Sequence, residues 1–439
     1  MLANLAVAAA LLVAVALYRL SSIKRPTAAA PRASEPPTAV KPAPGLWPLP
    51  QDATLLDYGR AELAATKPLP YRPFRWGPLY PQHMGIRNIT EATKWLQLDN
   101  EYSSTIKLRA ARMADPSLMS SHTRPGYHAH ALEALVEIAS FLSLRFPKLF
   151  AVERTPYIAA NSSTHGDSAA GPEEGAVKVI RNLVTGDVWD LEAIEQDEGP
   201  EWNPMLVAGH LLQDDLAVMV EDENGEYRFQ AGSICTAGFW RLQDKIGLTL
   251  DDIHFKGAVP NYADKYQKSM NRFFSNLRED KLVERNNYFF QVDEHLGWSE
   301  KTNGTEAIFD HFAKGPQADL VEKTRDVVHP TAATSASDVW FRTERQTLRR
   351  LPKTRSILFT VRTYLMPVTK LADEPGVPGR MASGIRSWPQ GDRSVTWYKG
   401  GELFNPVLLP FLDQKHDEQL AAGVVKLNDK GTTDEKYPY

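Results

Sequence analysis

The residues best suited to chemistry lie in two blocks of the chain. The first, Gly238–Leu282, holds one histidine, His254, between two apolar-striped segments. A neutral imidazole beside a face of Met and aromatic residues can be the axial metal ligand of a flat apolar cofactor such as haem. It can also pack as an ordinary core histidine, and spacing alone favours that reading. Arg241, Met270 and Phe273 stand in the same block and complete the candidate cofactor-binding set with His254. The second block, Trp340–Pro367, carries Arg342, Glu344, Arg345, Arg349 and Arg350 just before an apolar run. Charges this dense beside a buried strand need partners. They suit either an ion-paired hairpin edge or a pocket lining for an anion, a haem propionate, or dioxygen and an amine. On a strand, Arg342, Glu344 and Gln346 share one face, and Arg345 and Thr347 the other.

Other residue types offer less. Cys235 is the only cysteine, which excludes an internal disulfide framework, a cysteine zinc site and a cysteine-held iron–sulfur cluster. Its neighbours are apolar, with no cation to favour the thiolate. His128 and His130 are two residues apart, so a helix would point them to different faces. Asp214 and Asp215 adjoin in a strand-like run and face opposite ways. Ser104 and Lys107 match S-x-x-K without the companion motifs of that hydrolase class. His165, His210 and the pair Asp310–His311 read as loop, helix-end or surface residues.

Several elements must position the two blocks. Trp95–Met113 has helical spacing, and His128 opens an amphipathic helix through Phe146. Val177–Leu183 and Val188–Leu191 flank Thr185-Gly186-Asp187 as a hairpin. Leu216–Glu221 and Tyr227–Gln230 flank Asn224-Gly225, a strong hairpin cue. Within the first block, Phe239, Leu242 and Ile246 share one helical face. Tyr266, Met270, Phe273, Phe274 and Leu277 share another, with His254 on the loop between them. Pro352-Lys353-Thr354 turns the charged run back into the alternating strand Ile357–Tyr364.

The chain has 439 residues and a net charge of −4, enough for a large core and with no basic stripe for nucleic acid. Met1–Tyr18 carries no charged side chain, and Arg19, Lys24 and Arg25 follow it. At about 1.5 Å per residue it spans roughly 27 Å, enough for a thin bilayer. Cations after the run favour an uncleaved single-pass anchor (residues 1–20) with the body in the cytosol, most naturally at the endoplasmic reticulum. A cleaved signal peptide or a mitochondrial presequence is the alternative. Residues 21–68 read as a Pro/Ala-rich linker, 69–412 as the folded body with its core at about 175–368, and 413–439 as a polar tail. The aromatic, Pro-punctuated run Leu69–Tyr80 reads as a strap on the body.

Five blocks then carry a resemblance: LDNEYSSTIKLR (98–109), LLQDDLAVM (211–219), Gly238–Phe274, ERNNYF (284–289) and Phe341–Val368. With them the chain resembles the alpha-subunit-like proteins of haem-dependent oxidative N-demethylases, in particular their fungal relatives. The resemblance implies a PAS-like antiparallel sheet with helices on one side; with the extensions at both ends and the N-terminal anchor read above, the fold class is α+β. It implies haem b as cofactor, with His254 as the proximal ligand and Arg342, Glu344 and Arg345 in a polarised distal pocket. It implies oxygen-dependent removal of a methyl group from a small amine, with formaldehyde as second product. No dinucleotide fingerprint or iron–sulfur cysteines are present, so electrons would come from a separate NADPH-dependent reductase. A non-catalytic haem-binding sensor or a haem-free membrane-tethered binding protein are the alternatives.

Overall fold

The computed structural model describes residues 57–68, 71–77, 84–155, 175–309 and 330–433. The proposed anchor, most of the linker, His165 and the pair Asp310–His311 lie outside them. No described helix is long and apolar enough to cross a membrane.

In chain order the regular elements begin with α1 (Arg60–Ala65), β1 (Arg87–Asn88), α2 (Tyr102–Ala114), β2 (Ser121–Thr123) and α3 (His128–Arg145). The small strands β3 (Phe150–Arg154), β4 (Val177–Asn182) and β5 (Val188–Asp190) follow, then α4 (Leu191–Glu198) and α5 (Pro204–Leu211). Next come β6 (Asp215–Glu221), β7 (Tyr227–Ser233), α6 (Leu250–Lys256), α7 (Gln267–Asn276) and β8 (Val283–Gln291). The series ends with α8 (Glu300–Asn303), β9 (Trp340–Arg350), β10 (Ile357–Pro367), α9 (Val368–Leu371), α10 (Val377–Arg386), α11 (Val395–Tyr398) and α12 (Asn405–Ala421).

Seven strands form one antiparallel sheet in the order β1-β8-β9-β10-β6-β7-β2, and β3-β4-β5 form a second, smaller one. The three hairpins read from the sequence are present: β4–β5, β6–β7 and β9–β10. The last is the centre of the sheet, paired from Trp340↔Pro367 to Arg350↔Ile357. Its turn is fixed from outside, because the Glu133 carboxylate of α3 accepts the Lys353 and Thr354 N–H groups at 2.6 and 2.7 Å.

Elements cover both faces of the large sheet, where the sequence had suggested one. Helices α2, α3 and α5 bury Ile106, Leu135 and Leu211 against Leu216, Val218 and Leu358. Opposite them, Leu250 and Phe274 pack on Ala217, Met219 and Leu348. A third core gathers α9, α10 and α12 around Phe290 and Phe341, with the strap residue Phe74 inserted. Burial on both faces explains the unusual load of charge inside, since buried ions persist only when paired. Arg362 donates to Asp99 at 2.8 and 3.0 Å, Arg109 to Asp215 at 2.6 Å, and Arg349 lies 2.7 Å from Glu137.

Three local expectations need correction. Phe239, Leu242 and Ile246 do not share a helix; only the single turn Leu242–Asp244 forms there. Gly247 ends it at φ +82, and its N–H is tied to the Phe229 carbonyl at 2.6 Å. The helix starts afresh at Thr249, whose hydroxyl caps the Asp252 N–H at 3.0 Å, so His254 stands within α6 rather than on a loop. The polar tail begins as helix, since α12 continues through Asp413 to Ala421, anchored by buried Leu408 and Leu412. The end of the linker is also structured: Leu63 of α1 is buried, and the Tyr58 ring meets Phe146 edge-on at 5.1 Å.

Candidate functional site

A cavity of about 380 Å³ lies between the sheet and the segment Leu250–Phe274. Ligand sites are commonly concave, mostly apolar and of this order of volume. Its floor is one face of four strands, and strand register fixes which side chains are there. Ala217, Phe359 and Leu348 make an apolar row. The adjacent row is polar: Asp215 pairs with Val361, Val361 with Gln346, and Gln346 with Arg285. The next row sets Glu344 opposite Asn287. All of these line the cavity.

Two of the polar floor residues interlock. The Gln346 amide donates to a Glu344 carboxylate oxygen at 2.7 Å. That bond fixes the amide orientation, and leaves Gln346 Oε1 buried with no partner. Glu344 has no cation within ion-pair distance among the described residues. Asp215, by contrast, is fully engaged by Arg109 and by the Cys235 and Thr236 N–H groups. Its neighbour Asp214 faces away, and burial pushes its carboxyl up to about 6.

His254 forms part of the opposite wall. Its Nδ1 lies 2.7 Å from the Leu250 carbonyl, one turn back on α6. A carbonyl only accepts, so Nδ1 carries the proton and Nε2 is left with its lone pair. Burial holds the imidazole down to about 4, against the opposing effect of that hydrogen bond, so it is neutral at pH 7. Tyr262 stacks flat on the ring, with centroids 4.6 Å apart and planes at 9°. Tyr262 belongs to a π-helical turn, Tyr262–Tyr266, a local distortion often found at functional sites. Its hydroxyl donates to Asp251 at 2.7 Å, and Gln267 and Asn271 donate to the same carboxylate at 2.6 and 3.1 Å. Asp251 thus pins α7 to α6 and fixes the wall that carries His254.

Met270 and Phe273 of α7 line the cavity, as does Glu344 on β9. The other candidates lie elsewhere. Arg342 shares the Glu344 face, but its guanidinium turns aside to the carbonyls of Thr236 and Leu296 and to Gln291. Gly238 leaves it room, since a Cβ there would stand 2.5 Å from Arg342 Cζ. Arg345 points to the other face, bonded to Glu284 and to the carbonyls of Trp95 and Lys94. Arg241 is absorbed by Asp244 and the carbonyls of Glu306 and Phe309. Cys235 is buried, and burial raises its thiol pKa.

One residue of the cavity was not visible in the sequence. Lys399, at the end of α11, is 4% exposed and lines the cavity. Its Nζ donates to the Tyr288 carbonyl at 2.5 Å and sits 4.2 and 4.5 Å from the Tyr288 and Phe289 ring centroids. Burial brings its pKa down to about 7; Glu344 acts the other way and Arg285 adds to the lowering. Only the aromatic and glycine neighbours in WYKGG hinted that this lysine is not on the surface.

A family model described as haem-dependent oxidative N-demethylase, alpha subunit-like, matches residues 85–409, about three quarters of the chain. The chain belongs to that family.

Proposed function

We propose that this chain, as a member of the haem-dependent oxidative N-demethylase alpha-subunit-like family, removes a methyl group from a small amine. Dioxygen is the oxidant, haem b the cofactor, and a separate NADPH-dependent reductase the source of electrons. The balance is amine, dioxygen, two electrons and two protons in; demethylated amine, formaldehyde and water out.

His254 is the observation that carries this reading. It is a neutral imidazole with its tautomer fixed by a backbone carbonyl, on a largely apolar wall facing the polar floor of the cavity. Metal-binding histidines are commonly oriented this way, by a hydrogen bond on the second ring nitrogen. The rest of the cavity fits haem as well. Ile253, Val259, Met270 and Phe273 offer an apolar wall, and Arg285 and Lys245 are cations on the lining suited to propionates. The seven-stranded antiparallel sheet with its cavity on one face supports describing the fold as PAS-like.

Haem, when bound, supplies the oxygen chemistry and the oxidation of the N-methyl carbon. The chain's own residues bind and orient the amine. Glu344 and the unpartnered Oε1 of Gln346 are acceptors for its N–H groups, and Glu344 can hold or take its proton. Burial brings the Lys399 pKa down to about 7, so it repels an ammonium brought to Glu344 less than a fully charged lysine would.

The test is an absorption spectrum of residues 51–439 after haem reconstitution. A Soret band that is lost or shifted in His254→Ala is expected; no band at all would overturn every haem-based reading. Formaldehyde is then measured with NADPH, a reductase and a panel of secondary amines. Haem binding with no formaldehyde from any amine would favour a sensor instead. We also propose that residues 1–20 tether the body to a membrane, on the strength of the uncharged run and the cations after it. Full-length protein should pellet with membranes and residues 27–439 should not; pelleting of both would remove that argument.

A further inference from the structure

We propose that Lys399 is a second reactive group of this cavity: an amine nucleophile that captures small aldehydes as a reversible imine. The proposal rests on the demethylase reading only for the source of the aldehyde, which would be the formaldehyde released beside it.

The geometry carries the argument. Lys399 caps the short helix α11, and Gly400 follows in the left-handed region at φ +69. Gly401 then passes so close to α11 that a Cβ there would meet Thr396 Cγ2 at 2.6 Å. At this turn the lysine side chain is buried. No carboxylate lies within ion-pair distance of Nζ among the described residues; its contacts are the Tyr288 carbonyl and aromatic rings. With no carboxylate beside it a buried ammonium is costly, and the carbonyl and ring faces offset only part of that cost, so amine and ammonium forms are both populated near pH 7. Desolvated lysines of this kind serve elsewhere as Schiff-base nucleophiles. The shift of its pKa to about 7 agrees with the geometry. An amine that donates one N–H to Tyr288 keeps its lone pair for attack.

In the reaction, the Nζ lone pair forms a bond to the carbonyl carbon, and the C=O π pair moves to oxygen. Nζ gives up a proton and the oxygen takes one, giving a carbinolamine. Loss of water then gives the imine, and hydrolysis reverses it. No electrons are transferred and water is the only by-product. Glu344 lines the same cavity and can shuttle the proton from nitrogen to the leaving oxygen.

The experiment treats full-length protein at pH 7 with limiting isotope-labelled formaldehyde and cyanoborohydride, which fixes the imine as methyl-lysine. Peptide mass spectrometry then compares Lys399 with exposed lysines such as Lys94 and Lys178, whose side chains are 60% and 46% exposed. An ordinary lysine is under about one part in a thousand neutral at pH 7. Lys399 should therefore be labelled at least about tenfold faster than either. Labelling of Lys399 no faster than Lys94 would overturn the proposal. Lys399→Arg should lose the fast-labelled peptide and leave the slow ones unchanged. Should that variant not fold, the wild-type ranking alone decides. Formaldehyde is added and no turnover is needed, so the two proposals fail separately. Fast labelling without amine turnover keeps the capture site and removes the demethylase; turnover with slow labelling does the reverse.

Discussion

Replacing His254 by Phe should remove most of one acid-sensitive contribution to stability. In the folded chain burial brings the imidazole to about 4, whereas an unfolded histidine titrates near 6.5. Between those values the unfolded chain binds a proton that the native chain refuses. The contribution of a neutral His254 is therefore intact above about pH 6.5, is lost as pH falls through that window, and is constant below about pH 4. Integrating the two titration curves from pH 7 to pH 4.5 gives a loss of about 2 kcal/mol from this one residue. Phe does not titrate and can keep the stack on Tyr262. Urea unfolding of haem-free protein, followed by near-ultraviolet circular dichroism at both pH values, measures the change in each protein. Asp214, Lys399 and the other histidines are common to both, so their titrations cancel in the double difference. Wild type should lose about 2 kcal/mol more than His254→Phe on acidification. Equal losses, to within about 0.5 kcal/mol, would mean that His254 is not shielded from water and would weaken its case as a preset neutral ligand.

Gly238→Ala should be destabilising by at least about 1–2 kcal/mol, because the residue sits at φ +76 and its new Cβ would enter the Arg342 guanidinium. The urea midpoint measures this, and an unchanged midpoint would mean that Arg342 is free to move. Asp251→Ala should release three donors and loosen α7 from α6, raising amide exchange across residues 262–276 while leaving β9 and β10 protected. Glu344→Gln should leave the Soret band in place but weaken amine binding by roughly 10- to 100-fold, the equivalent of one hydrogen bond to a charged group. Spectral titration with the amine reads it, and an unchanged affinity would remove Glu344 from the site.

The period-two pattern made much of this legible. It put Arg342, Glu344 and Gln346 on one face of β9 and Arg345 and Thr347 on the other, and the register agrees. What it could not show is which face looks onto a cavity, because both faces of β9 are buried. Nor does a strand pattern reveal how far a long side chain bends. Arg342 leaves the Glu344 row because acceptors at Thr236, Gln291 and Leu296, far apart in sequence, converge on it. Arg241 was drawn off in the same way by the carbonyls of Glu306 and Phe309. Lys399 was hidden for another reason. Its direction depends on the backbone of Gly400 and Gly401, and no periodicity marks a side chain aimed by a turn. His254 was legible as a residue but not as a geometry. Its partner is the Leu250 carbonyl, and that contact exists only because Gly247 stops one turn and Thr249 starts the next.

The charge pattern of the cavity follows from these placements and narrows what it can hold. Of its two carboxylates on the floor, Asp215 is neutralised by Arg109 and two backbone N–H groups, so its charge is spent inside the protein. Among the described residues Glu344 is hydrogen-bonded by the Gln346 amide and has no ion-pair partner. Arg342 is two residues away on the same strand, yet it is turned toward neutral acceptors, and burial lowers its pKa to about 10. Lys399, with its pKa brought down to about 7, carries only part of a positive charge at pH 7, and His254 is neutral. The central floor therefore sets the Glu344 carboxylate beside an orphaned amide oxygen, with Arg285 across from Gln346 on the next strand, under apolar walls. An anion placed there would meet like charge and lose its water, whereas a small ammonium would gain the Glu344 charge and the Gln346 oxygen together. Arg285 and Lys245 place positive charge on the same lining, where the carboxylates of a larger ligand could meet it. With Arg285 beside Gln346 on the same floor, cation and acceptors stand next to each other, which suits an acidic flat cofactor and a compact amine bound side by side.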